Sequence, residues 1–122
     1  MAISVEDLIA QKDEIKKRKQ QEFDLETSIG VITVKKPTRT IVLESLDMQD
    51  SKDNDRYLLY HTIVAPDLSN KKLQQAYGCG EPLDIIDLIF QPGEVVALSK
   101  KVMQLAGYGQ DIKSTVHEEL KN

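Results

Sequence analysis

The chain has 122 residues and a formal net charge of −4, with 16 Lys and Arg against 20 Asp and Glu. This length suits a single domain with its own hydrophobic core. The acidic balance disfavours general nucleic-acid binding, because phosphate contacts need clustered Lys and Arg. A single cysteine excludes an intramolecular disulfide. No apolar stretch approaches the roughly 20 residues of a membrane helix, and the first residues lack a signal-peptide pattern, so we expect a cytoplasmic protein.

Residues 1–22 are predicted to form a polar N-terminal arm or helix ahead of the main domain. Ser4 is a typical N-cap residue, whose hydroxyl can accept a hydrogen bond from the Asp7 N–H. A thin apolar stripe follows and then fades into a polar stretch with the basic run Lys16–Lys19. The stripe consists of Val5, Leu8, Ile9 and Ile15. Because so thin a stripe offers little to hold a helix in a core, we expect these four residues to bind a partner, either another protein or a second copy of the chain. The alternative is that the apolar start of the arm folds back on its own domain.

Residues 23–35 change the hydrophobic period from helical to alternating. Apolar and acidic residues alternate from Phe23 onward, and a β-branched run follows Gly30. Glycine tolerates the positive φ of a tight turn, so this pattern predicts an antiparallel hairpin that pairs 23–27 with 31–35. A lone hairpin is marginally stable in water, so we expect it to pack on helices.

The sequence from Thr38 onward predicts short helices separated by polar loops, Pro and Gly. The predicted helices begin near Arg39, Asp55, Ser69, Pro82, Glu94 and Asp111. The first is capped by Thr38 and runs to Met48, and the second continues to Val64, where Pro66 ends it. Together these elements predict a mainly α fold of the α+β class, with five or six short helices and one small hairpin. Residues 23–122 are predicted to form one domain.

The most apolar segment, residues 83–90, is predicted to be the central core helix. The core is expected to contain Ile85, Ile86, Ile89, Phe90, Leu43, Leu46, Leu58, Leu98 and Val102. Pro82 suits the first position of the central helix, since proline lacks the N–H that would be unpaired there. Gly78 and Gly107 are predicted to terminate helices, and a weak last helix would present Ile112, Val116 and Leu120 on one stripe.

No motif has the spacing of a catalytic or metal site. His61 and His117 are far apart in sequence and have no second ligand at suitable spacing, whereas metal sites need several convergent ligands. Cys79 has no nearby base to activate its thiol. The acidic loop Asp47–Asp55 lacks the Gly and Glu that an EF-hand loop requires. We therefore expect a protein that is not an enzyme and that binds no cofactor or metal.

Several segments, taken in order, carry a resemblance to a known family. They are Val5-Glu6-Asp7-Leu8, Ile32–Arg39, Tyr57–Pro66, Ala76–Pro82, Phe90–Glu94 and Leu105–Gly109. Each motif is weak alone, but their order and spacing are specific together and cover most of the chain. The chain resembles the XkdN-like tail assembly chaperones of long-tailed phages and phage-like elements.

The resemblance implies a non-enzymatic assembly factor and names its partners. Such proteins bind the phage tape-measure protein and keep it soluble until tail tube subunits polymerise around it. They act in the host cell cytoplasm and are absent from the finished virion, and many phages also make a C-terminally extended form by ribosomal frameshifting. The expected partners are therefore the tape-measure protein, the tail tube protein and a second copy of the chain, with no nucleic acid or membrane.

Two other functions stay open on the sequence. Several short helices separated by turns suit a small DNA-binding regulator, although the net charge of −4 and the lack of a basic recognition helix oppose it. A minor structural tail component would share the same helical character. Titration against DNA at low salt tests the first function, and analysis of purified particles tests the second.

Overall fold

A computed structural model describes residues 1–118, which form seven helices and one three-stranded antiparallel sheet. The helices are α1 (Val5–Ala10), α2 (Lys12–Lys19), α3 (Arg39–Leu46), α4 (Ser51–Thr62), α5 (Lys71–Ala76), α6 (Asp84–Ile89) and α7 (Pro92–Leu105). The strands are β1 (Glu22–Thr27), β2 (Gly30–Lys35) and β3 (Ile63–Ala65), in the spatial order β1-β2-β3. This architecture confirms the predicted α+β class, with seven helices where five or six were expected.

Strands β1 and β2 form the predicted hairpin, which presents one face to the core. Leu25 pairs with Ile32, and the turn closes at Gly30, whose φ of 125° only glycine adopts easily. Because side chains alternate across a strand, Ile32 and Val34 are buried together while their neighbours face away. The half-buried Phe23 and Leu25 pack against the same core from β1.

Strand β3 corrects the predicted end of the second helix of the main domain. Helix α4 ends at Thr62, and residues 63–65 pair with the outer edge of β2, Ile63 with Val34 and Ala65 with Thr33. The prediction that this helix reaches Val64 was therefore wrong. The proline ring disfavours helical backbone at the residue before it, which favours an extended Ala65 and pairing with the free edge of β2.

The hydrophobic core is built mainly by the hairpin, α4, α6 and α7. Its buried members are Ile32, Val34, Leu58, Leu59, Ile63, Leu68, Ile85, Ile86, Phe90, Val95, Leu98 and Val102. Ile85 and Ile86 are fully buried, which confirms the prediction that this segment lies at the centre. Ile89 is half-buried against the cluster, and α6 begins at Asp84 instead of at Pro82.

Helix α3 turns a different face inward from the one predicted. Val42, Leu43 and Leu46 were expected to face inward; Val42 is buried, but Leu43 and Leu46 are exposed and Ser45 is buried in their place. The Ser45 hydroxyl donates a hydrogen bond to the Val42 carbonyl at 2.8 Å, so its burial leaves no unpaired donor. A small satisfied side chain therefore takes the inward position that hydrophobicity alone assigns to leucine.

Arg56 contacts three carboxylates and joins α4 to α6 through two of them, Asp84 and Asp87. Its side chain is only 12% exposed; it pairs with Asp53, and its Nη1 lies 3.2 Å from Asp84 and 3.4 Å from Asp87. Asp84 also accepts the backbone N–H groups of residues 81 and 80, at 2.9 and 3.0 Å. These backbone hydrogen bonds, together with Arg56, lower the pKa of Asp84.

A second polar contact ties the hairpin turn to the start of α7. The carboxylate of Glu94 accepts the Ser28 N–H at 2.8 Å and the Ser28 hydroxyl at 2.6 Å. The hydroxyl and then the backbone of Ser28 lower the pKa of Glu94. The hairpin is thereby held at its tip as well as along its apolar face.

The chain beyond α7 contains no helix up to residue 118. Ile112 and Val116, which were predicted to lie on the stripe of a last helix, are both exposed. That prediction was wrong for residues 111–118, and Leu120 lies outside the described residues. A short helix gains most of its stability from packing, and this stripe has no surface to pack on.

Candidate partner-binding site

The predicted arm consists of two short helices that start with a strong local signal. The Ser4 hydroxyl accepts the Asp7 N–H at 3.0 Å, and the Asp7 carboxylate accepts the Ser4 N–H at 3.4 Å. This reciprocal capping box confirms the predicted N-cap and fixes where α1 begins. Helix α1 ends at Ala10, and α2 starts at Lys12, with Gln11 as the cap residue between them.

Three of the four predicted partner-binding residues lie together on α1. Val5, Leu8 and Ile9 are 69%, 50% and 67% exposed. A helix turns about 100° per residue, so these three side chains share one face, and the acidic Glu6 and Asp7 occupy the rest of the helix. We call Val5, Leu8 and Ile9 the arm tip. Within the described chain no other element covers this apolar face.

Ile15, the fourth predicted residue, is not part of the arm tip. It is half-buried and lines an open cleft of about 540 Å³ between the arm and the main domain. The other lining residues come from α2, from the connection between β2 and α3, and from the end of α7. They are Arg18, Lys19, Lys36, Pro37, Thr38, Arg39, Ala106 and Tyr108. We call this the basic cleft.

The basic cleft has four cationic side chains and no carboxylate in its lining. The Lys36 ammonium donates to Gln21 Oε1 at 3.4 Å and lies 5.8 Å from the centre of the Phe23 ring. Arg18, Lys19 and Arg39 form no ion pair with any residue from 1 to 118. The cleft therefore concentrates unpaired positive charge on a protein whose net charge is negative.

The end of α7 shapes one side of the cleft. Gly107 has a φ of 93°; its N–H donates to the Gln104 carbonyl at 2.9 Å, and the Tyr108 N–H donates to the Met103 carbonyl at 3.1 Å. This pair of hydrogen bonds is a Schellman motif, which confirms the predicted helix stop at Gly107. The reversal of the chain brings Tyr108 to the cleft.

Sequence reasoning identified the arm tip but missed the basic cleft. The only sequence signal was the run Lys16–Lys19, whose last two residues line the cleft. The remaining cations, Lys36 and Arg39, belong to a different segment, and Tyr108 belongs to a third. Residues so distant in sequence are brought together only by the fold, so local pattern analysis could not assemble them.

The residues with potential for chemistry are dispersed. Among residues 1–118, no group of three or more His, Cys, Asp and Glu side chains could hold a metal ion. His61 is exposed, and its ring centre lies 4.3 Å from that of Tyr57 in a tilted arrangement and 5.2 Å from that of Tyr60 in an edge-to-face arrangement. The described helices include none with the length and apolar character needed to cross a membrane.

Comparison with protein families gives a match over most of the chain. A family model described as "Phage XkdN-like tail assembly chaperone protein" matches residues 31–121. The chain belongs to this family. Membership confirms the resemblance inferred from the sequence motifs. The comparison with curated proteins and the comparison with solved structures each gave no significant match.

The chaperone family match begins at β2 and covers the whole helical part of the main domain. It includes the segments that contribute Lys36, Arg39 and Tyr108 to the basic cleft, and it leaves out residues 1–30. The arm tip therefore lies outside the matched range, and its role depends on physical argument about this chain.

Proposed function

We propose that the protein is a non-enzymatic chaperone that binds the phage tape-measure protein and keeps it soluble during tail assembly. The observation that carries the proposal is the family match over residues 31–121, because the family is one of tail assembly chaperones. The tail tube protein is a second partner in this proposal. The chaperone acts in the host cell cytoplasm and is not incorporated into the virion.

The arm tip is the proposed contact with the tape-measure protein. We place an arm at residues 1–22 and a folded domain at residues 23–122. Val5, Leu8 and Ile9 offer an exposed apolar face, and burial of such side chains contributes roughly 1.5–3 kcal/mol each. Association also costs translational freedom and side-chain ordering, so the net affinity of three such contacts is modest. A reversible contact suits a chaperone, since the client must be released when tube subunits polymerise.

Co-expression tests this function directly. The tape-measure protein is produced with the wild-type chain, with the double variant Leu8→Ser/Ile9→Ser, or with Leu46→Ser as a control. Leu46 is 63% exposed on α3, so the control removes an exposed apolar side chain outside the arm. We expect soluble tape-measure protein with wild type and Leu46→Ser, and mostly insoluble protein with the double variant. Equal solubility in the double variant and the control would contradict a role for the arm tip.

Mass spectrometry of purified particles tests the assembly-factor role separately. A chaperone is expected in the lysate and absent from assembled tails. Its presence at a fixed ratio to tube subunits would instead identify a minor structural component of the tail. This outcome does not depend on which residues contact the client.

A further inference from the structure

The arm tip and the basic cleft have complementary chemistry. The tip combines three exposed aliphatic side chains with Glu6 and Asp7 on the same short helix. The cleft combines the apolar groups of Ile15, Pro37 and Tyr108 with four cations. We propose that the basic cleft is the docking site for the arm tip of a second copy of this chain, so that copies associate tip to cleft.

Charge is the first argument for this occupant. Glu6 and Asp7 form no ion pair within the described chain, and the cations of the cleft likewise pair with no carboxylate there. Docking brings two acidic side chains without ion pairs to a surface that carries four cations, which also lack ion pairs within the described chain. The attraction operates over roughly 8–10 Å at moderate ionic strength and weakens as salt is added.

The size and surface chemistry of the basic cleft favour a short apolar helix over a nucleic acid as its occupant. The cleft volume of about 540 Å³ lies within the range of roughly 300–1,000 Å³ that is usual for sites binding compact groups. Helix α1 has only six residues, so its apolar face is a compact group. A nucleic-acid strand needs cations along an extended groove with several stacking aromatic rings. This cleft has one aromatic residue, Tyr108, and its cations are accompanied by the aliphatic groups of Ile15, Pro37 and Ala106.

The geometry of the arm makes the contact intermolecular. Helix α1 leads through Gln11 into α2, and α2 itself forms one wall of the cleft through Ile15 and Arg18. No residue of the arm tip lines the cleft of its own chain. Each copy therefore carries one free tip and one free cleft, which permits either a reciprocal dimer or an open chain of copies. A reciprocal dimer covers both arm tips and an open chain covers all but the tip at one end, so self-association competes with any client that binds the tip.

Sedimentation of the purified full-length chain tests this inference without a client. We expect a mean mass above that of the monomer, which rises with protein concentration and falls with added salt. Leu8→Ser removes one of the three apolar side chains of the arm tip and Arg39→Glu reverses one cation of the cleft, and each variant alone is expected to be monomeric. Both residues are exposed, and a glutamate at the first position of α3 suits the helix dipole, so both variants should fold.

Mixing the two variants gives the sharpest result. Leu8→Ser keeps an intact cleft and Arg39→Glu keeps an intact tip, so an equimolar mixture is expected to form heterodimers and nothing larger. The matched controls are Leu46→Ser, which removes an exposed leucine elsewhere, and Lys100→Glu, which reverses an exposed cation outside the cleft. Both controls should associate as wild type does.

Several outcomes would overturn the inference. A monomeric wild-type chain at high concentration and low salt excludes it, and so does a mixture that stays monomeric. If removal of residues 110–122 abolishes association while Leu8→Ser does not, the C-terminal segment is the occupant. If the chain instead binds DNA or RNA, loses that binding in Arg39→Glu and does not self-associate, the cleft is a nucleic-acid site. None of these results bears on tape-measure solubility, so they leave the proposed function to its own test.

Discussion

Helices α1 and α6 have six residues each but opposite environments. Helix α1 has a complete capping box, and every one of its residues is exposed. Helix α6 has no side-chain cap, yet it buries Ile85 and Ile86 completely. The comparison teaches that capping determines where a helix begins, whereas the packing partners determine what it buries. Helix α6 has α4 and α7 as neighbours, and α1 contacts mainly α2.

The same comparison predicts how each region responds to mutation. A helix as short as six residues is unstable in isolation, so α6 depends on the core and the core depends on α6. Helix α1 depends on its own cap and contributes little to the rest of the fold. Substitutions in α6 should therefore unfold the domain, and substitutions in α1 should change association only.

The largest effect is expected from Ile86→Ala, which removes a side chain with 0% exposure from the centre of α6. Loss of burial plus the remaining cavity should lower the free energy of unfolding by about 2–5 kcal/mol. Leu8→Ala removes an exposed side chain with the same number of carbons from α1 and should change the free energy of unfolding by less than about 0.5 kcal/mol. Urea unfolding of the two variants measures the contrast. Equal losses in both would mean that the arm belongs to the core.

A smaller effect is expected from Arg56→Ala, which breaks the polar link between α4 and α6. The arginine is nearly buried, while its carboxylate partners are partly exposed and can recruit water, so we expect a loss of about 1–3 kcal/mol. Lys71→Ala, at an exposed position of α5, is the matched control and should be close to neutral. Chemical denaturation at neutral pH gives both values. If Arg56→Ala left the free energy of unfolding unchanged, the core alone would position α6.

Acidification should destabilise the domain through two carboxylates whose pKa values are lowered in the folded state. Asp84 and Glu94 start from ordinary values of 3.8 and 4.5, so their contribution is present above these values and is lost as the pH falls through the lower folded pKa values. Ser28→Ala removes the hydroxyl group that is the main cause of the lowered pKa of Glu94. The variant should show a flatter dependence of the thermal midpoint on pH below 4.5. An unchanged acid profile in Ser28→Ala would contradict this assignment.

Asp55 should show the opposite dependence on pH. Burial raises the pKa of Asp55 above its ordinary value of 3.8, so the stabilising protonated form is lost as the pH rises through the raised folded pKa. Asp55→Asn removes a charge that is partly withdrawn from water. We expect the variant to be at least as stable as wild type at neutral pH and to lose this advantage in acid. Thermal midpoints of the variant and of wild type, each measured at neutral pH and in acid, test this prediction.

The smallest effect on stability is expected from deletion of residues 1–20. The remaining domain should keep its thermal midpoint as a monomer, because no residue of α1 or α2 is buried. It should lose self-association, since it lacks the arm tip and one wall of the basic cleft. A dilute sample in a calorimeter separates the two effects. A sharp drop of the midpoint in that sample would place the arm within the cooperative unit.

Local signals in the sequence predicted the elements whose causes are local. The Ser4 and Thr38 caps, the turn at Gly30 and the stop at Gly107 depend on neighbours within a few residues, and the structure confirms each of them. The central helix was predicted because residues 83–90 are the most apolar segment, and a segment this apolar is stable mainly when it is buried. In each case the chemistry that forms the element lies within one short segment.

The missed features depend on residues that are distant in sequence. Strand β3 forms because Ile63 finds the free edge of a hairpin some thirty residues earlier. Burial of Ser45 in place of Leu46 reflects the space beside α4, which no period in the sequence encodes. The basic cleft needs three segments to meet. The local pattern of one segment does not indicate which distant segments it contacts in the fold.

The contact between Ser28 and Glu94 has a consequence for the order of events during synthesis. The two residues are 66 positions apart, so the hairpin leaves the ribosome long before the helix that anchors its tip. Until α7 emerges, the apolar face of the hairpin has no complete core to cover it, and the nascent chain exposes the kind of surface that chaperones recognise. We expect stalled chains that end before Pro92 to be protease-sensitive and chains that extend past Ala106 to be resistant. A protein proposed to shield a client thus passes through a stage in which it needs shielding itself.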